Sequence, residues 1–127
     1  VSDASGATDT AAVIVHSQDG TTVTGAATDD ILISDTTDDL LIGAAGDDLF
    51  VFSDGHGNDT VSDFQAGAGS DDAVDLSGVS EITDLSDLLA SHASDVGSDT
   101  VIDTGSGNSV TLIGVSVADL HQDDFLF

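Results

Sequence analysis

Lysine and arginine are absent from this chain, as are cysteine, tryptophan and tyrosine. With no Lys or Arg against 25 acidic residues, the formal net charge of the 127-residue chain is −25. Phosphate recognition runs on those two side chains, so nucleic acid and anionic lipid are excluded as electrostatic partners. Self-repulsion on this scale opposes a compact state unless cations neutralise it. By charge alone, the metal-free chain falls near the disordered class. The lack of cysteine removes disulfides and thiolate metal sites, and fits an extracellular protein stabilised by other means. No run approaches the ~18 apolar residues of a membrane-spanning helix, so no membrane insertion is expected. Val1-Ser2-Asp3 has neither the basic nor the apolar region of a signal peptide, and no Met opens the chain. A mature form, or a fragment of something longer, is the expectation.

The acid that is present is almost entirely of one kind: 24 Asp and only Glu81. A merely solvated acidic surface would mix in Glu, the better helix former. Short Asp carboxylates suit turns and hard-cation cages, where oxygen is delivered close to the backbone. That points to Ca²⁺. Halophilic adaptation is the competing reading, and it would impose no spacing.

Spacing is what the sequence shows. Written in nines from Ala7, the chain reads ATDTAAVIV, HSQDGTTVT, GAATDDILI, SDTTDDLLI, GAAGDDLFV. The eighth position is Ile14, Val23, Leu32, Leu41, Phe50, apolar throughout, and the sixth is Ala12, Thr21, Asp30, Asp39, Asp48. Six small or polar residues followed by three strand-like ones describe half a coil of a flattened parallel β-helix. The eighth side chain points inward and its neighbours outward. Two blocks complete one coil. Ile14, Leu32 and Phe50 are therefore expected to stack in one sheet, facing Val23 and Leu41 in the other.

These blocks resemble the RTX (repeats-in-toxin) nonapeptide, Gly-Gly-x-Gly-x-Asp-x-(large apolar)-x. Gly43-Ala44-Ala45-Gly46-Asp47-Asp48-Leu49-Phe50-Val51 is the best match. Gly55-His56-Gly57-Asn58-Asp59-Thr60-Val61 is a partial one, displaced by two residues. Ala26, Thr28, Ser34, Asp35, Thr37 and Ala44 stand where the pattern prefers Gly. A positive φ there would cost about 1 kcal/mol each, so the turns should be looser or strained.

The resemblance implies an all-β fold, a parallel β-roll or β-helix solenoid, with Ca²⁺ lodged between turns one coil (~4.8 Å) apart. It pairs Asp30 with Asp48, and Asp39 with Asp59 across a bulge after Val51. Carbonyls of Gly25, Ala27, Ser34, Thr36, Gly43 and Ala45 are the companion ligands. Asp29, Asp38 and Asp47, at the fifth position, should face solvent or the outer coordination sphere. Residues 7–24 lack the sixth-position acid and read as a metal-poor entry coil. An EF-hand is excluded, since no twelve-residue loop ending in Glu occurs.

The expected division is residues 1–64 as roll, with calcium repeats over 25–62, and 65–127 as a C-terminal cap of strands and one short helix. Asp59–Phe64 reads as a last strand and Val74–Leu76 as another, after the Gly67-Ala68-Gly69 loop. Ile82, Leu85, Leu88 and Leu89 fall at helical spacing with Thr83 as N-cap. Thr100–Asp103 and Ser109–Leu112 flank Gly105-Ser106-Gly107-Asn108, a hairpin signal. Phe64, Leu76, the helix leucines, Phe125 and Phe127 are expected to cover the open apolar end. The region from Phe52 onward also resembles the C-terminal part of type I secretion substrates, through Phe-x-Phe, Asp-Thr-Val-x-Asp-Phe, Asp-Leu-Ser and the acidic-then-apolar terminus.

No catalytic constellation accompanies this. His16, His56, His92 and His121 lack ligand spacing and suggest surface or loop positions. No Gly-x-Ser-x-Gly elbow is present. The chain is expected not to be an enzyme. The expectation is a secreted module that folds on Ca²⁺ outside a bacterial cell, with the type I secretion machinery as partner. Self-association into a filament or surface array is the alternative, and the tail of a secreted hydrolase or adhesin a third.

Overall fold

The computed structural model describes residues 13–16 (backbone only), 22–67 and 72–127. Most of the entry coil 7–24, Val1-Ser2-Asp3 and Ala68-Gly69 lie outside those residues. The strands are β1 (Val13–His16), β2 (Thr22–Thr24), β3 (Asp30–Ile33), β4 (Leu40–Ile42), β5 (Leu49–Ser53), β6 (Asn58–Val61), β7 (Ala73–Gly78), β8 (Ala93–Val96), β9 (Asp99–Gly105), β10 (Asn108–Leu112) and β11 (Phe125–Leu126). Successive repeat strands alternate between two sheets, ordered β1-β3-β5-β7-β11 and β2-β4-β6-β10-β9-β8. Among the described residues pairing is parallel from β1 through β7, between β7 and β11 and between β6 and β10, and antiparallel only along β10-β9-β8.

The nine-residue period explains this arrangement. In β2 and β4 the central residue is buried and its neighbours face outward. Leu32 sits opposite Phe50, and Val23 opposite Leu41. Leu41 then meets Val61 and Phe50 meets Val74, so longer turns are absorbed without losing the inward register. Val23, Leu32, Leu41, Phe50, Phe52, Val61 and Val74 join residues of the second half, out to Phe125, in one core. Phe64 packs edge-on against Phe50, with centroids 6.1 Å apart.

The structure corrects several local expectations. Val15, not Ile14, stands opposite Leu32, because β1 is one residue out of nonapeptide register. Ala12 offers no sixth-position carboxylate to fix that coil, and main-chain ladders alone tolerate such a slip. The last repeat strand ends at Val61 instead of continuing to Phe64. The helix is a single turn, α1 (Leu85–Asp87), capped by Asp84, whose carboxylate accepts the Asp87 N–H at 2.8 Å; Thr83 instead donates to Asp87. A wider π-turn over Leu88–His92 follows. Leu88 is consequently buried and Leu89 exposed. Phe127 stacks on Phe125 at the surface, still 39% exposed, so it covers little of the core. The β9–β10 hairpin forms where the glycine-rich turn signals it.

Of the residues replacing glycine, only Ala44 takes a positive φ, at 76°. The remaining turns therefore relax the backbone, and the strain is confined to the block nearest the consensus. Gly46 in that block has φ 121°, and a Cβ there would lie 2.5 Å from the Thr28 carbonyl carbon of the coil below. Gly46→Ala is expected to cost about 2–4 kcal/mol, combining backbone strain with a clash against main chain. Gly55→Ala, with φ 80° and open space, should cost about 1 kcal/mol. Denaturant unfolding in saturating calcium checks the difference.

Candidate metal centre

Every sixth-position carboxylate of the repeats is buried: Asp30, Asp39, Asp48 and Asp59 are between 1% and 4% exposed. The Asp-x-apolar alternation dictates this. An inward-facing residue at position eight places position six on the same side of the strand, where the turn closes over it. The carboxylates of Asp48 and Asp59 bridge to the coil below. Asp48 Oδ1 accepts the Asp30 N–H at 3.0 Å, and Asp59 Oδ1 accepts that of Asp39 at 2.8 Å. The structure thus brings together both pairs named from the sequence.

The ladder runs further than the repeats. Asp72 Oδ1 accepts the Asp48 N–H at 3.0 Å and its Oδ2 the Gln65 N–H at 3.0 Å. The separation is 24 residues where Asp30 and Asp48 are 18 apart, so a fixed period misses Asp72. Its signal is Asp72-Ala73-Val74, the same Asp-x-apolar unit. Asp63 and Asp124 had no such signal. Asp63 receives the N–H groups of Gly43 and Ala44 at 2.9 and 2.7 Å. Buried Asp124 receives those of Gly67 and His121.

The fifth-position acids lie farther out, Asp38 and Asp47 being exposed and Asp29 half-buried. They also bridge coils, Asp29 accepting from Asp47 N at 2.9 Å and Asp38 from Asn58 N at 2.8 Å. Among the proposed carbonyl donors, Ala27, Thr36 and Ala45 sit at exposed turn tips, while Ser34 and Gly43 are buried and Gly25 half-buried. Gly25 and Gly43 lie so close to their own blocks' acids that a Cβ would clash with Asp30 Oδ2 and Asp48 Oδ2.

The second oxygens separate the sites. Asp30 Oδ2 accepts the Ala26 N–H at 2.5 Å, and Asp39 Oδ2 that of Asp35 at 3.3 Å. The threonines replacing glycine add hydroxyl donors, Thr28 to Asp30 Oδ1 at 3.0 Å and Thr37 to Asp39 Oδ1 at 3.5 Å. Asp59 Oδ2 lies 2.7 Å from His56 Nδ1. Asp48 Oδ2 alone in this set is buried with no hydrogen-bond partner. The cause is local: with Ala44 at positive φ, its N–H turns to Asp63 and away from Asp48.

An ionised carboxylate oxygen buried without a donor costs several kcal/mol. Burial pushes the Asp48 carboxyl from 3.8 up to about 6; the Asp30 N–H opposes the rise, and the Asp72, Asp30 and Asp63 carboxylates add to it. The orphaned oxygen, the surrounding negative charge and the turn backbone fit a hard divalent cation. Among the described residues no three acidic or imidazole side chains converge on one point. An ion here would therefore need main-chain carbonyls besides Asp48.

His56 lies in a loop, between β5 and β6, but not at the surface. It is 2% exposed, packs on Phe52 with ring centroids 5.1 Å apart, and places Nε2 2.8 Å from Thr104 Oγ1. Nothing in its spacing from the other histidines signals this; the nearby Asp59 was the available cue.

No protein-family model matches the sequence, and a comparison with curated proteins returns no match. Among solved structures, the chain superposes on the extracellular lipase LipA from Serratia marcescens with a TM-score of 0.59 and 24% identity. The match covers 91% of this chain and 19% of the lipase, so the chain spans about a fifth of that protein. The AlgE6R3 subunit of the Azotobacter vinelandii mannuronan C5-epimerase aligns with TM-score 0.34 and 23% identity, covering 92% of this chain and 80% of that one. That superposition is too loose to bear on the fold. Two sheets of parallel repeat strands make the architecture a β-roll, and the likeness to the lipase extends to that fold alone.

The raised Asp48 pKa fixes a sign. The folded chain binds its proton more tightly than the unfolded chain does. Without metal, the contribution of Asp48 is therefore most favourable below pH ~4 and is lost as pH rises through about 6. In chelator, strand content should rise as pH falls from 7 to 5, and Asp48→Asn should flatten that response. Circular dichroism against pH reads both.

Proposed function

We propose that this chain is a calcium-binding β-solenoid module of a secreted bacterial protein, expanded at cytoplasmic calcium levels and folding where calcium is abundant. The observation that carries the reading is Asp48 Oδ2, buried and unpartnered in the block that best matches the nonapeptide. Asp48 would hold the ion together with carbonyls drawn from Gly25, Ala27, Gly43 and Ala45. The cation supplies neutralising charge between stacked turns, and its binding free energy becomes folding free energy. The net charge of −25 keeps the metal-free chain expanded and suited to passage through a channel.

On this reading the module is not a catalyst, and the region from Phe52 onward doubles as cap and signal for the type I secretion machinery. One fact agrees with an extracellular setting: the superposed lipase is extracellular. Self-association is the second reading. Among the described residues β1 and β2 are the end strands of the two sheets, at the same end of the roll, and end strands are where a further chain can pair.

Titration from chelator into millimolar Ca²⁺ should raise the strand signal cooperatively, with Mg²⁺ ineffective, because Mg²⁺ surrenders water reluctantly. A full strand signal already present in chelator at neutral pH contradicts the switch. Asp48→Ala should raise the calcium midpoint at least about tenfold, and Asp47→Ala, at an exposed position, by less than about threefold. Equal shifts would remove the distinction between inner and outer acids.

A further inference from the structure

The two turn faces of the roll do not satisfy their acids in the same way. One face stacks the turns of Asp30, Asp48 and Asp72; the other stacks those of Asp39 and Asp59. On the first, Asp48 Oδ2 has no donor. Among the described residues, both sixth-position acids of the second have a neighbour at each oxygen: Asp35 N and Thr37 Oγ1 for Asp39, Asp39 N and His56 Nδ1 for Asp59.

We infer that the roll is loaded with metal on one face only: Asp48 receives the divalent cation, and on the Asp39–Asp59 face the His56 imidazole stands in the place of one. This rests on the calcium reading above and deepens it. The ring is anchored on three sides: Nδ1 on Asp59 at 2.7 Å, Nε2 on Thr104 at 2.8 Å, and a tilted contact with the Phe52 ring. The His56 and Asp59 side chains are 1% and 0% exposed, so water does not compete for the contact. The Nδ1–H tautomer would donate to the carboxylate and accept the Thr104 hydroxyl at Nε2. An imidazole nitrogen is a poor ligand for Ca²⁺, which wants six to eight hard oxygens. An ion entering this face would have to displace a buried ring that already satisfies the acceptor.

The coil above closes the same face. The turn containing His56 is covered by the β9–β10 hairpin, with Ser109 N donating to Gly57 O and Gly57 N to Asn108 Oδ1, both at 3.1 Å. Opposite Asp59 the next strand carries Val110, not an acid. On the other face Asp72 continues the ladder above Asp48. Ser34 Oγ, also buried and unpartnered, lies on the His56 face, but a neutral hydroxyl brings no charge to hold an ion.

The test is the number and affinity of calcium ions per chain, by equilibrium dialysis and native mass spectrometry at neutral pH. The full chain is compared with Asp48→Asn, Asp39→Asn and His56→Ala. Asp48→Asn should lose an ion or weaken binding at least about tenfold, whereas Asp39→Asn should stay within about twofold of the parent. His56→Ala, which leaves Asp59 Oδ2 without its donor, should bind one additional ion. Comparable losses in Asp39→Asn and Asp48→Asn, or an unchanged count in a folded His56→Ala chain, would overturn one-sided loading. If His56→Ala fails to fold in saturating calcium, the pair of Asn variants decides. No calcium bound by the parent chain would instead sink the calcium reading itself.

Discussion

Burying carboxylates in a chain that has no Lys or Arg is the constraint on which the rest of the structure depends. The acids inside the roll have only backbone N–H groups, hydroxyls, one imidazole and external cations to meet them. The fold exploits the first three thoroughly. A main-chain N–H of one coil reaches the aspartate of the next, so the carboxylate ladder fixes coil spacing as the apolar ladder fixes the interior. The two ladders are the sixth and eighth positions of one short pattern. A change in either would be felt in both.

This coupling explains why the least compromised repeat is the most demanding one. In the turns of Asp30 and Asp39, alanine, aspartate or threonine in place of glycine keeps the backbone relaxed and supplies donors to the acid. In the turn of Asp48 the backbone adopts positive φ at Ala44 and Gly46, the N–H groups turn to Asp63, and Asp48 keeps an unsatisfied oxygen. Strain, burial and unsatisfied charge thus coincide at one turn. A polar group left in that state makes sense when a ligand completes it. The replacements that look like decay of the motif are self-sufficient turns.

Much of this was legible in the sequence because the period forces it. Apolar residues at Val23, Leu32, Leu41 and Phe50 settle which side faces in, and a sixth-position Asp must follow them inward. The pairing of Asp39 with Asp59 survived a two-residue displacement because the Asp-x-apolar unit, not the count, sets register. The same unit marks Asp72, which a search by fixed spacing passes over. Other features carry no periodic signal. Asp63, Asp124 and His56 matter through contacts between segments distant in sequence, such as Gly67 with Asp124 and His56 with Thr104. The one-residue slip of β1 and the change from helical turn to π-turn at Leu88 turn on differences of one residue, below what apolar spacing resolves.

A divalent cation on Asp48 between stacked turns is tested most directly by a crystal structure of the calcium-saturated chain with anomalous difference density. A peak is expected at about 2.3–2.6 Å from Asp48 Oδ2, shared with main-chain carbonyls of the turns around Gly25 and Gly43. A well-ordered Asp48 carboxylate with no peak beside it, its second oxygen met by a protein donor or by water alone, would contradict the account.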